Sequence, residues 1–588
     1  SFVERERMFA LPRSSWEDYD KSQISKGGGV FARNVKAVAI TPEMREALGI
    51  GAEVESLSPI DLISAILKAP VDLLWNGGIG TYVKAASESN ADVGDRANNA
   101  LRINGDELRC RIVGEGGNLG FTQKGRIEAA RKGVLLNTDF IDNSAGVDTS
   151  DHEVNIKILL NDAVQRGEMD LEARNKLLHS MTDEVARLVL RDNYRQNGAL
   201  GVMGHMSVSR IGSQAHFIRT LEGRGQLDRQ IESLPSDAEL AERRTHRQGL
   251  TRPELAVLLS YSKIVLYQQL LDSDVPEDPF LSHELVRYFP EPLHERYAAH
   301  MQRHRLKREI IATAVTNSIV NRMGATFVLR TQEDTGQTPA AVVKAYNAAR
   351  QIVHARELWS GIDALDGKVG QAAQIDALMK VWSLLRQISR WLLNRSGSLG
   401  ITDLVQRYQP GMDQLRAALP AILTDTGRGR WDVDRGKWQG VGFPAELAQA
   451  LATIPTLEVA MDVIEISLES ERPIEHVARV FFDLGEALDI EWLRNQIEKL
   501  PVESSWHAQA RGALRDELAV QQRAMVTQIL ASEQGRQTPH GAVSSWLQRD
   551  DPQLQFTRGM LDEIRGVDVD YPIASVALRR LAQIAQSG

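Results

Sequence analysis

The feature that most constrains the fold of this chain is a pattern repeated three times between residues 71 and 147. In each repeat, a short apolar segment runs directly into a loop rich in asparagine and glycine. The apolar segments cover residues 71–75, 110–113 and 134–136, and helix-length polar stretches separate them. Apolar strands that alternate with helices are typical of a parallel sheet covered by helices. We therefore predict an α/β domain in which these segments are strands.

The loops after these strands contain the first candidate binding residues. Ligands of open parallel sheets bind beyond the carboxyl ends of the strands, where these loops would lie. Glycine lets the backbone approach a ligand closely, and the asparagine amide both donates and accepts hydrogen bonds, so it suits a carboxamide or a sugar hydroxyl. The alternative is a set of tight turns, in which asparagine beside glycine is common. Both interpretations apply to Asn76, Gly77, Gly116, Gly117 and Asn118.

The third loop leads into a helix. The segment from Ser150 to Glu153 has the form of a capping box, with acidic residues in the first helical turn. We therefore predict that the helix starts at Ser150, where its dipole would favour a bound anion. Simple helix capping is the alternative role for this serine. The residues that follow place an apolar face on the helix: Ile156, Leu159, Leu160 and Ala163.

Beyond about residue 200 the sequence has helical patterns and almost no strand pattern. A strong helix start is predicted at 250–255, with further helices at 376–394 and around 474–488. Residues 424–444 are rich in Gly, Arg and Asp and predict a long exposed loop. The predicted organisation is an α/β domain at 1–155, connecting helices at 156–200, a helical subdomain at 201–424, a loop at 425–444 and a C-terminal helical subdomain at 445–588.

Composition and charge weigh against several classes of function. The formal net charge of −9 argues against nucleic acid as the main partner, because phosphate binding needs a basic surface. No secretory start and no apolar run long enough for a membrane span is present, so we expect no membrane partner. Cys110 is the only cysteine, which fits a reducing cytoplasm, and its strand pattern predicts a core position. The spacing of His205, His216 and His246 predicts no metal site.

Three strings resemble the glutamate dehydrogenases. Residues 114–118 read Gly-Glu-Gly-Gly-Asn and residues 142–153 read Asp-Asn-Ser-Ala-Gly-Val-Asp-Thr-Ser-Asp-His-Glu, which resembles the coenzyme domain of that family. Residues 74–84, Leu-Trp-Asn-Gly-Gly-Ile-Gly-Thr-Tyr-Val-Lys, are similar to its large bacterial NAD-specific class. Since subunits of that class are very long and this chain starts at Ser1 without methionine, we expect a C-terminal portion of one. The resemblance implies a Rossmann-like parallel-sheet domain, incomplete at its N-terminus, followed by a large all-α region.

The resemblance also implies a reaction and roles for individual residues. The reaction is the NAD-dependent oxidative deamination of L-glutamate to 2-oxoglutarate and ammonia. Asn118 matches the asparagine that faces the nicotinamide ring, and Ser150 matches the serine that binds the substrate carboxylate. The loop that closes over the substrate matches Asn143, Gly146 and Val147. The remaining cofactor contacts would come from Gly116, Gly117, Asn76 and Gly77.

The family's catalytic lysine and aspartate have no counterpart in this chain. The dinucleotide fingerprint Gly-x-Gly-x-x-Gly also fails, because Leu119 occupies the position of its third glycine. Lys26 has glycine neighbours, but it precedes the predicted strand at 37–40 and is assigned to the coenzyme domain. We therefore expect the catalytic residues upstream of Ser1, and we expect the chain alone to be inactive.

Two alternatives to this interpretation stay open at this point. The helical region forms over half of the chain, so a non-catalytic regulatory or oligomerisation fragment is one of them. Asp151 and His152 follow the serine where the family usually has an aromatic residue, which favours a dehydrogenase for another amino acid. With either interpretation we expect a homo-oligomer in the cytoplasm.

Overall fold

The computed structural model describes residues 2–395, 399–502, 505–532 and 538–586. The chain divides into two compact units. The first consists of Ser1–Val265 and Glu284–Ile310, and the second of Leu266–His283 and Ile311–Gly588. Helices dominate the described part of both units, and the strands all lie in the first.

The strands form small two-stranded sheets rather than one large sheet. They are β1 (Val38–Ala39), β2 (Ser56–Leu57), β3 (Leu73–Asn76), β4 (Val83–Lys84), β5 (Ile103–Asn104) and β6 (Ile112–Glu115). β1 and β2 are antiparallel, whereas β3 pairs with β6 and β4 with β5 in parallel.

The predicted parallel pairing of the first two apolar segments is confirmed by β3 and β6. The third segment joins them through a parallel bridge between Leu135 and Ile112. This segment forms two backbone hydrogen bonds of the kind found between paired strands. The Val113 N–H donates to the Leu135 carbonyl at 3.0 Å, and the Leu135 N–H donates to the Arg111 carbonyl at 2.9 Å. The three segments are therefore neighbours, and their loops emerge at a common edge.

The helices of the first unit begin at the N-terminus and end near residue 310. They are α1 (Phe2–Phe9), α2 (Pro42–Leu48), α3 (Pro59–Leu67), α4 (Asn90–Val93), α5 (Gln123–Arg131), α6 (Asp139–Asp142), α7 (Ser144–Gln165), α8 (Leu171–Ser180), α9 (Thr182–His205), α10 (Ser207–Gly223), α11 (Asp237–Thr245), α12 (Arg252–Leu271), α13 (Ser282–Tyr288) and α14 (Ala298–Gln302). α12 and α13 also contribute residues to the second unit.

The remaining helices belong to the second unit, apart from the first residues of α15. They are α15 (Lys307–Met323), α16 (Phe327–Thr335), α17 (Pro339–Ile352), α18 (Ala355–Asp363), α19 (Gln371–Arg395), α20 (Ile401–Ile422), α21 (Asp425–Gly440), α22 (Ala445–Leu457), α23 (Ala460–Ser470), α24 (Ile474–Ala487), α25 (Ile490–Lys499), α26 (Ser505–Ser532), α27 (Pro539–Leu547), α28 (Pro552–Ile564) and α29 (Tyr571–Gln586). α12, α19 and α24 confirm the predicted helices at 250–255, 376–394 and 474–488.

Only one face of the β3–β6 sheet is covered. The covered face packs into a core that includes Cys110 and Val113, so the predicted core position of this cysteine is confirmed. On the other face the exposed fractions are 53% for Leu73, 63% for Trp75 and 59% for Leu135. The prediction of a sheet covered by helices is therefore wrong for that face, because the alternating side chains of these strands meet a core on one side only.

The prediction of a loop at 425–444 is wrong, because α21 occupies most of it. Thr424 caps this helix, its Oγ accepting the Gly427 N–H at 3.1 Å. Trp431 and Trp438 are buried on one face, and the Trp431 indole donates to Thr453 of α22 at 3.1 Å. The Gly, Arg and Asp content suggested a loop, but two tryptophans spaced by two helical turns outweigh it. The second compact unit runs through this segment from Ile311, and the predicted division into helical subdomains stays a prediction.

The described residues contain neither a candidate membrane span nor a candidate metal site. In the part of the chain that the structure describes, no helix combines the length and apolar character needed to cross a membrane. Among the same residues, no group of three or more His, Cys, Asp or Glu side chains is arranged to hold a metal ion.

Candidate functional site

The loops after β3 and β6 are joined through the backbone of one asparagine. Asn76 lies opposite Glu115 in the register of the two strands. Its carbonyl accepts the N–H groups of Gly116 at 2.8 Å and Gly117 at 3.0 Å. Its side-chain oxygen accepts the N–H of Gly78 at 3.3 Å. The structure therefore brings together the candidate residues of the first two loops.

The glycines of these loops are needed for their close approach. A Cβ on Gly117 would lie 2.7 Å from the carbonyl oxygen of Gly78, and one on Gly116 would lie 2.3 Å from the ring of Trp75. A Cβ on Gly77 would lie 3.0 Å from the indole nitrogen of that same tryptophan. Contacts within the protein thus explain these glycines without a ligand, and they leave the backbone of the loops free of side chains.

The predicted nicotinamide-facing and substrate-facing asparagines contact each other directly. The side-chain N–H of Asn143 donates to the Oδ1 of Asn118 at 3.0 Å, and Asn118 is exposed. Within the described residues the side-chain nitrogen of Asn118 has no hydrogen-bond acceptor. Leu119 follows in the left-handed region with φ 63°, which turns the loop sharply after Asn118. An open donor group therefore lies at the edge where β6 ends.

Buried carboxylates stabilise the loop after β6 through hydrogen bonds and ion pairs. Glu115 is 1% exposed and forms a two-point ion pair with Arg126, with N–O distances of 2.7 and 2.9 Å. Burial raises the pKa of the Glu115 carboxyl, and the guanidinium of Arg126 opposes that rise. Arg126 also contacts Asp139 at 3.2 Å, and Asp139 accepts the N–H of Leu119 at 2.8 Å. Asp142 accepts the N–H of Glu115 at 3.0 Å. The loop is thus fixed at both of its ends.

A row of side-chain amides supports α6 on its other side. Arg252 donates to the Oδ1 of Asn137 at 3.0 Å, and the NH₂ of Asn137 donates to Asp142 at 2.7 Å. The same NH₂ donates to Asn197 at 2.6 Å, and Asn197 donates to the carbonyl of Asn193 at 3.1 Å. Burial raises the pKa of the Asp142 carboxyl. No local sequence pattern predicts this row, because its members are separated by up to 115 positions.

The predicted helix start at Ser150 is wrong. α7 begins at Ser144, with Asn143 as its N-cap residue, so Ser150 lies in the second turn. Its hydroxyl donates to the carbonyl of Val147 at 2.7 Å, a common arrangement for serine inside a helix. The capping pattern failed because the six residues before it extend the helix despite Gly146. The helix dipole acts mainly within the first turn, so it offers less to an anion at Ser150 than predicted.

The candidate substrate residues lie together at the start of α7. Asn143 and Gly146 are in contact through the helix cap, where the N–H of Gly146 donates to the Asn143 carbonyl at 3.2 Å. Val147 is 66% exposed, and Ser150, one turn further, is exposed as well. The start of the helix therefore presents these residues to solvent on neighbouring turns.

The opposite side of α7 carries a buried titratable cluster. His152 is 2% exposed and stacks on Tyr288 with ring centroids 4.3 Å apart. Its Nε2 lies 3.8 Å from Asp148, and its Nδ1 has no hydrogen-bond partner. Burial lowers the pKa of His152 to about 4 and raises that of Asp148 to about 7. The ring of His152 thus packs against Tyr288 and does not face the exposed side of the helix.

A lysine belongs to the same buried region. Burial lowers the pKa of Lys263 to about 7, with Asp192 and Asp148 acting in the opposite direction. Its ammonium donates to Gln196 at 3.1 Å. The carboxyl of Asp148 and the ammonium of Lys263 therefore both change charge close to neutral pH.

Two stretches of the chain match known protein families. Residues 1–203 match the family described as bacterial NAD-glutamate dehydrogenase, catalytic domain. Residues 247–583 match the family described as glutamate dehydrogenase, C-terminal. The chain belongs to the bacterial NAD-specific glutamate dehydrogenases. The family resemblance predicted from the loops at 74–84, 114–118 and 142–153 is therefore confirmed.

Three curated members of this glutamate dehydrogenase family align with the whole chain. The NAD-specific glutamate dehydrogenases of Pseudomonas aeruginosa, Halomonas elongata and Mycobacterium tuberculosis are 46%, 44% and 37% identical to it. Each alignment covers 100% of this chain and 36% of the relative. The chain thus spans about a third of the length of these glutamate dehydrogenases. The catalytic-domain match includes all six strands, and the C-terminal match runs from just before α12 into α29.

Proposed function

We propose that this chain takes part in the NAD-dependent oxidative deamination of L-glutamate, to which it supplies nicotinamide-facing and substrate-facing loops. The names of the relatives support the reaction class. The observation that carries the proposal is the 3.0 Å hydrogen bond between Asn118 and Asn143. One of these asparagines matches the family's nicotinamide contact and the other its substrate loop, so a cofactor and a substrate held by them would be adjacent.

The overall reaction is L-glutamate plus NAD⁺ and water giving 2-oxoglutarate, ammonium, NADH and a proton. The glutamate α-carbon loses a hydride and its nitrogen loses a proton, which leaves a C=N bond. NAD, when bound, supplies the C4 position of its nicotinamide as the hydride acceptor. Water then adds to the carbon of the C=N bond, the C–N bond breaks, and 2-oxoglutarate and ammonia are released.

The residues after β3 and β6 fit a nicotinamide. Asn118 has an amide nitrogen that can donate to the carboxamide oxygen, since its own oxygen is engaged by Asn143. Trp75 and Ile79 beside this loop are 63% and 96% exposed and would pack against the nicotinamide ring. Gly77, Gly116 and Gly117 add no side chains of their own to the backbone that follows Asn76, and the ring of Trp75 lies against Gly77 and Gly116.

The start of α7 fits the substrate. The Ser150 hydroxyl can rotate from the Val147 carbonyl toward a substrate carboxylate, where it would act as a donor. Gly146 adds no side chain at this position, where a Cβ would lie 3.2 Å from the Oδ1 of Asn143. Asn143 would keep the substrate loop next to the nicotinamide loop through its bond to Asn118. These residues bind and orient the substrate, and we assign proton transfer to none of them.

The proposal also includes the fold of the coenzyme domain, the cellular compartment and the oligomeric state. The parallel β3–β6 pair, with Leu135 bridged to it, supports a Rossmann-like coenzyme domain. The lone, buried Cys110 is compatible with a reducing cytoplasm. We propose a homo-oligomer, and light scattering of the full-length enzyme tests it, because a monomeric mass would contradict that part of the proposal.

The decisive experiment is NADH formation from glutamate by the full-length enzyme with Ser150→Ala. The matched control is Ser180→Ala, because Ser180 is also an exposed helical serine whose hydroxyl bonds three residues back, to Leu177 at 2.8 Å. Loss of a hydrogen bond to a charged carboxylate predicts a KM for glutamate raised ~10-fold or more by Ser150→Ala. The KM for NAD and both constants of the control should stay at the unmodified values.

Two results would contradict the proposal at different levels. Equal kinetics in Ser150→Ala and Ser180→Ala would restrict Ser150 to helix structure. Absence of glutamate turnover in the unmodified enzyme, with turnover of another amino acid in a substrate panel, would overturn the substrate. The 588-residue chain alone should form no NADH, because it has no counterpart of the family's catalytic lysine and aspartate.

A further inference from the structure

The second unit contains a charged cavity that the proposed function does not use. It has a volume of about 370 Å³ and lies where α19, α25 and α26 meet the junction between α22 and α23. Four arginines line it: Arg390, Arg395, Arg494 and Arg515. Three carboxylates line it as well: Glu458, Asp462 and Asp516. No residue predicted to bind glutamate or NAD is among the lining residues.

Two of the arginines have buried N–H groups without an acceptor. Arg390 is 7% exposed and donates through Nη2 to Asp516 at 3.0 Å, but its Nε has no hydrogen-bond partner, because the carboxylate of Asp334 lies 3.9 Å from it. Arg515 is also 7% exposed and donates through Nη1 to Glu498 at 3.0 Å, but its Nη2 has no partner. A buried donor without an acceptor is costly, so such groups call for an explanation. An oxygen-rich ligand in the cavity would supply both missing acceptors.

Two of the three carboxylates of the cavity accept hydrogen bonds from neutral donors, and the third, Asp516, pairs with Arg390. The indole N–H of Trp391 donates to Asp462 at 2.9 Å, and the hydroxyl of Ser383 donates to Glu458 at 2.9 Å. Burial raises the pKa of both carboxyls, and nearby arginines oppose that rise. Arginine keeps its proton in proteins. Four arginines therefore line the cavity against three carboxylates, a formal excess of one positive charge.

The geometry points to a binding site for a small oxyanion, an organic carboxylate or a phosphate, held by Arg390 and Arg515. A guanidinium presents its N–H groups in a fork that matches the oxygens of either anion. The cavity lies at the lower end of the volume range of small-molecule sites, and its charged lining favours a compact, charged ligand over an apolar one. This site goes beyond the proposed function and does not depend on it.

The test is a binding titration of the 588-residue chain. Sodium succinate and inorganic phosphate are titrated separately by calorimetry, with chloride holding the ionic strength constant. Trp391 lines the cavity, so its fluorescence gives a second signal. Saturable binding of one ligand per chain by at least one of the two anions is expected, and their affinities decide between carboxylate and phosphate. No saturable binding of either anion would overturn the proposal.

Matched variants locate the bound anion. Loss of a charge-assisted hydrogen bond predicts that Arg515→Gln weakens binding by about tenfold or more. Arg430→Gln is the control, because Arg430 is 52% exposed, pairs with Glu491 on the surface and lies outside the cavity. Its affinity should stay within about twofold of the unmodified value.

A second variant is needed because Arg515 also pairs with Glu498. Circular dichroism and thermal unfolding establish whether Arg515→Gln folds. Ala519→Phe narrows the cavity and leaves all four arginines in place, and it should also weaken binding by about tenfold or more, since it removes space for the ligand. Unchanged affinity in every folded cavity variant would overturn the proposal.

Discussion

The Oδ2 of Asp142 accepts the backbone N–H of Glu115 at 3.0 Å, so the end of β6 is tied to α6. Asp142 immediately precedes Asn143, the N-cap residue of α7. The strand that carries the proposed nicotinamide loop and the helix that carries the proposed substrate residues are thus connected by one carboxylate. The free energy of unfolding measures how strongly this region is held together. Enzyme kinetics measure separately whether its exposed residues bind the cofactor and the substrate.

The buried ion pair below the loop should be important for stability. Arg126→Leu leaves the 1%-exposed Glu115 without its main counter-charge. Breaking a buried pair from one side typically costs ~3–5 kcal/mol, so a urea titration should show a loss of that order. Lys157→Ala is the control, because its pair with Glu153 is exposed and should contribute less than ~1 kcal/mol. Equal losses in the two variants would contradict the assigned role.

The dependence of stability on pH should change in opposite directions in two variants of the α7 cluster. The pKa of His152 is lowered from 6.5 to about 4, so the unfolded chain binds a proton more readily and stability falls as the pH drops through that window. The pKa of Asp148 is raised from 3.8 to about 7, so the folded chain binds the proton and stability rises as the pH drops. In the unmodified chain these contributions offset each other between about pH 4 and pH 6.5.

Replacing either His152 or Asp148 should leave the contribution of the other residue to the pH dependence of stability. Asp148→Asn keeps the His152 contribution, so its stability should fall between pH 6.5 and pH 4 by an amount on the order of 3 kcal/mol. His152→Phe keeps the ring packing on Tyr288 and the Asp148 contribution, so its stability should rise over the same interval. Thermal unfolding at a series of pH values measures both, and parallel curves for the two variants would refute the coupling.

The amide of Asn118 should matter for the cofactor more than for the fold. Asn118→Ala in the full-length enzyme removes the proposed donor to the nicotinamide carboxamide. Loss of one hydrogen bond predicts a fall in kcat/KM for NAD of ~10-fold, with little change in thermal stability because the side chain is exposed. Asn175→Ala, at an exposed position on α8, should leave both quantities unchanged. A normal kcat/KM in Asn118→Ala would restrict Asn118 to turn formation.

The helix at 425–440 should depend on its buried tryptophans for stability. Trp431 is 8% exposed and its indole is bonded to α22, so Trp431→Ala should destabilise the protein by ~3–5 kcal/mol. Trp506 is 75% exposed, and the same change there should cost no more than ~0.5 kcal/mol. Hydrogen exchange of the α21 amides gives an independent measurement, since a loop in this segment would exchange at once.

Sequence reasoning succeeded where the structural cause is local. The loops at Asn76 and Asn118 were predicted because an apolar strand and the turn that ends it occupy adjacent positions in the chain. It failed where two local patterns competed. Ser150 has the residues of a capping box, but the segment before it already forms a helix. The composition of 425–444 is that of a loop, but Trp431 and Trp438 give it a buried helical face.

The supporting residues of the site lay outside the reach of such patterns. Arg252 and Asn137 meet across 115 positions, and Glu115 pairs with an arginine of the next helix rather than facing a ligand. Nothing in the neighbourhood of these residues in the sequence marks them, because their partners are brought near only by the fold. The side-chain environment of a site is therefore less predictable than the loops that form it.

The row of amides beside α6 has a direction. The guanidinium of Arg252 can only donate and the carboxylate of Asp142 can only accept, and Asn137 lies between them with its oxygen toward one and its nitrogen toward the other. Rotating this amide by half a turn would place donor against donor and acceptor against acceptor. The charges at the two ends thus dictate the orientation of Asn137, and through its bond to Asn197 they also set the orientation of the next amide. One amide cannot rotate unless the other rotates with it. The charges of Arg252 and Asp142 prevent that joint rotation.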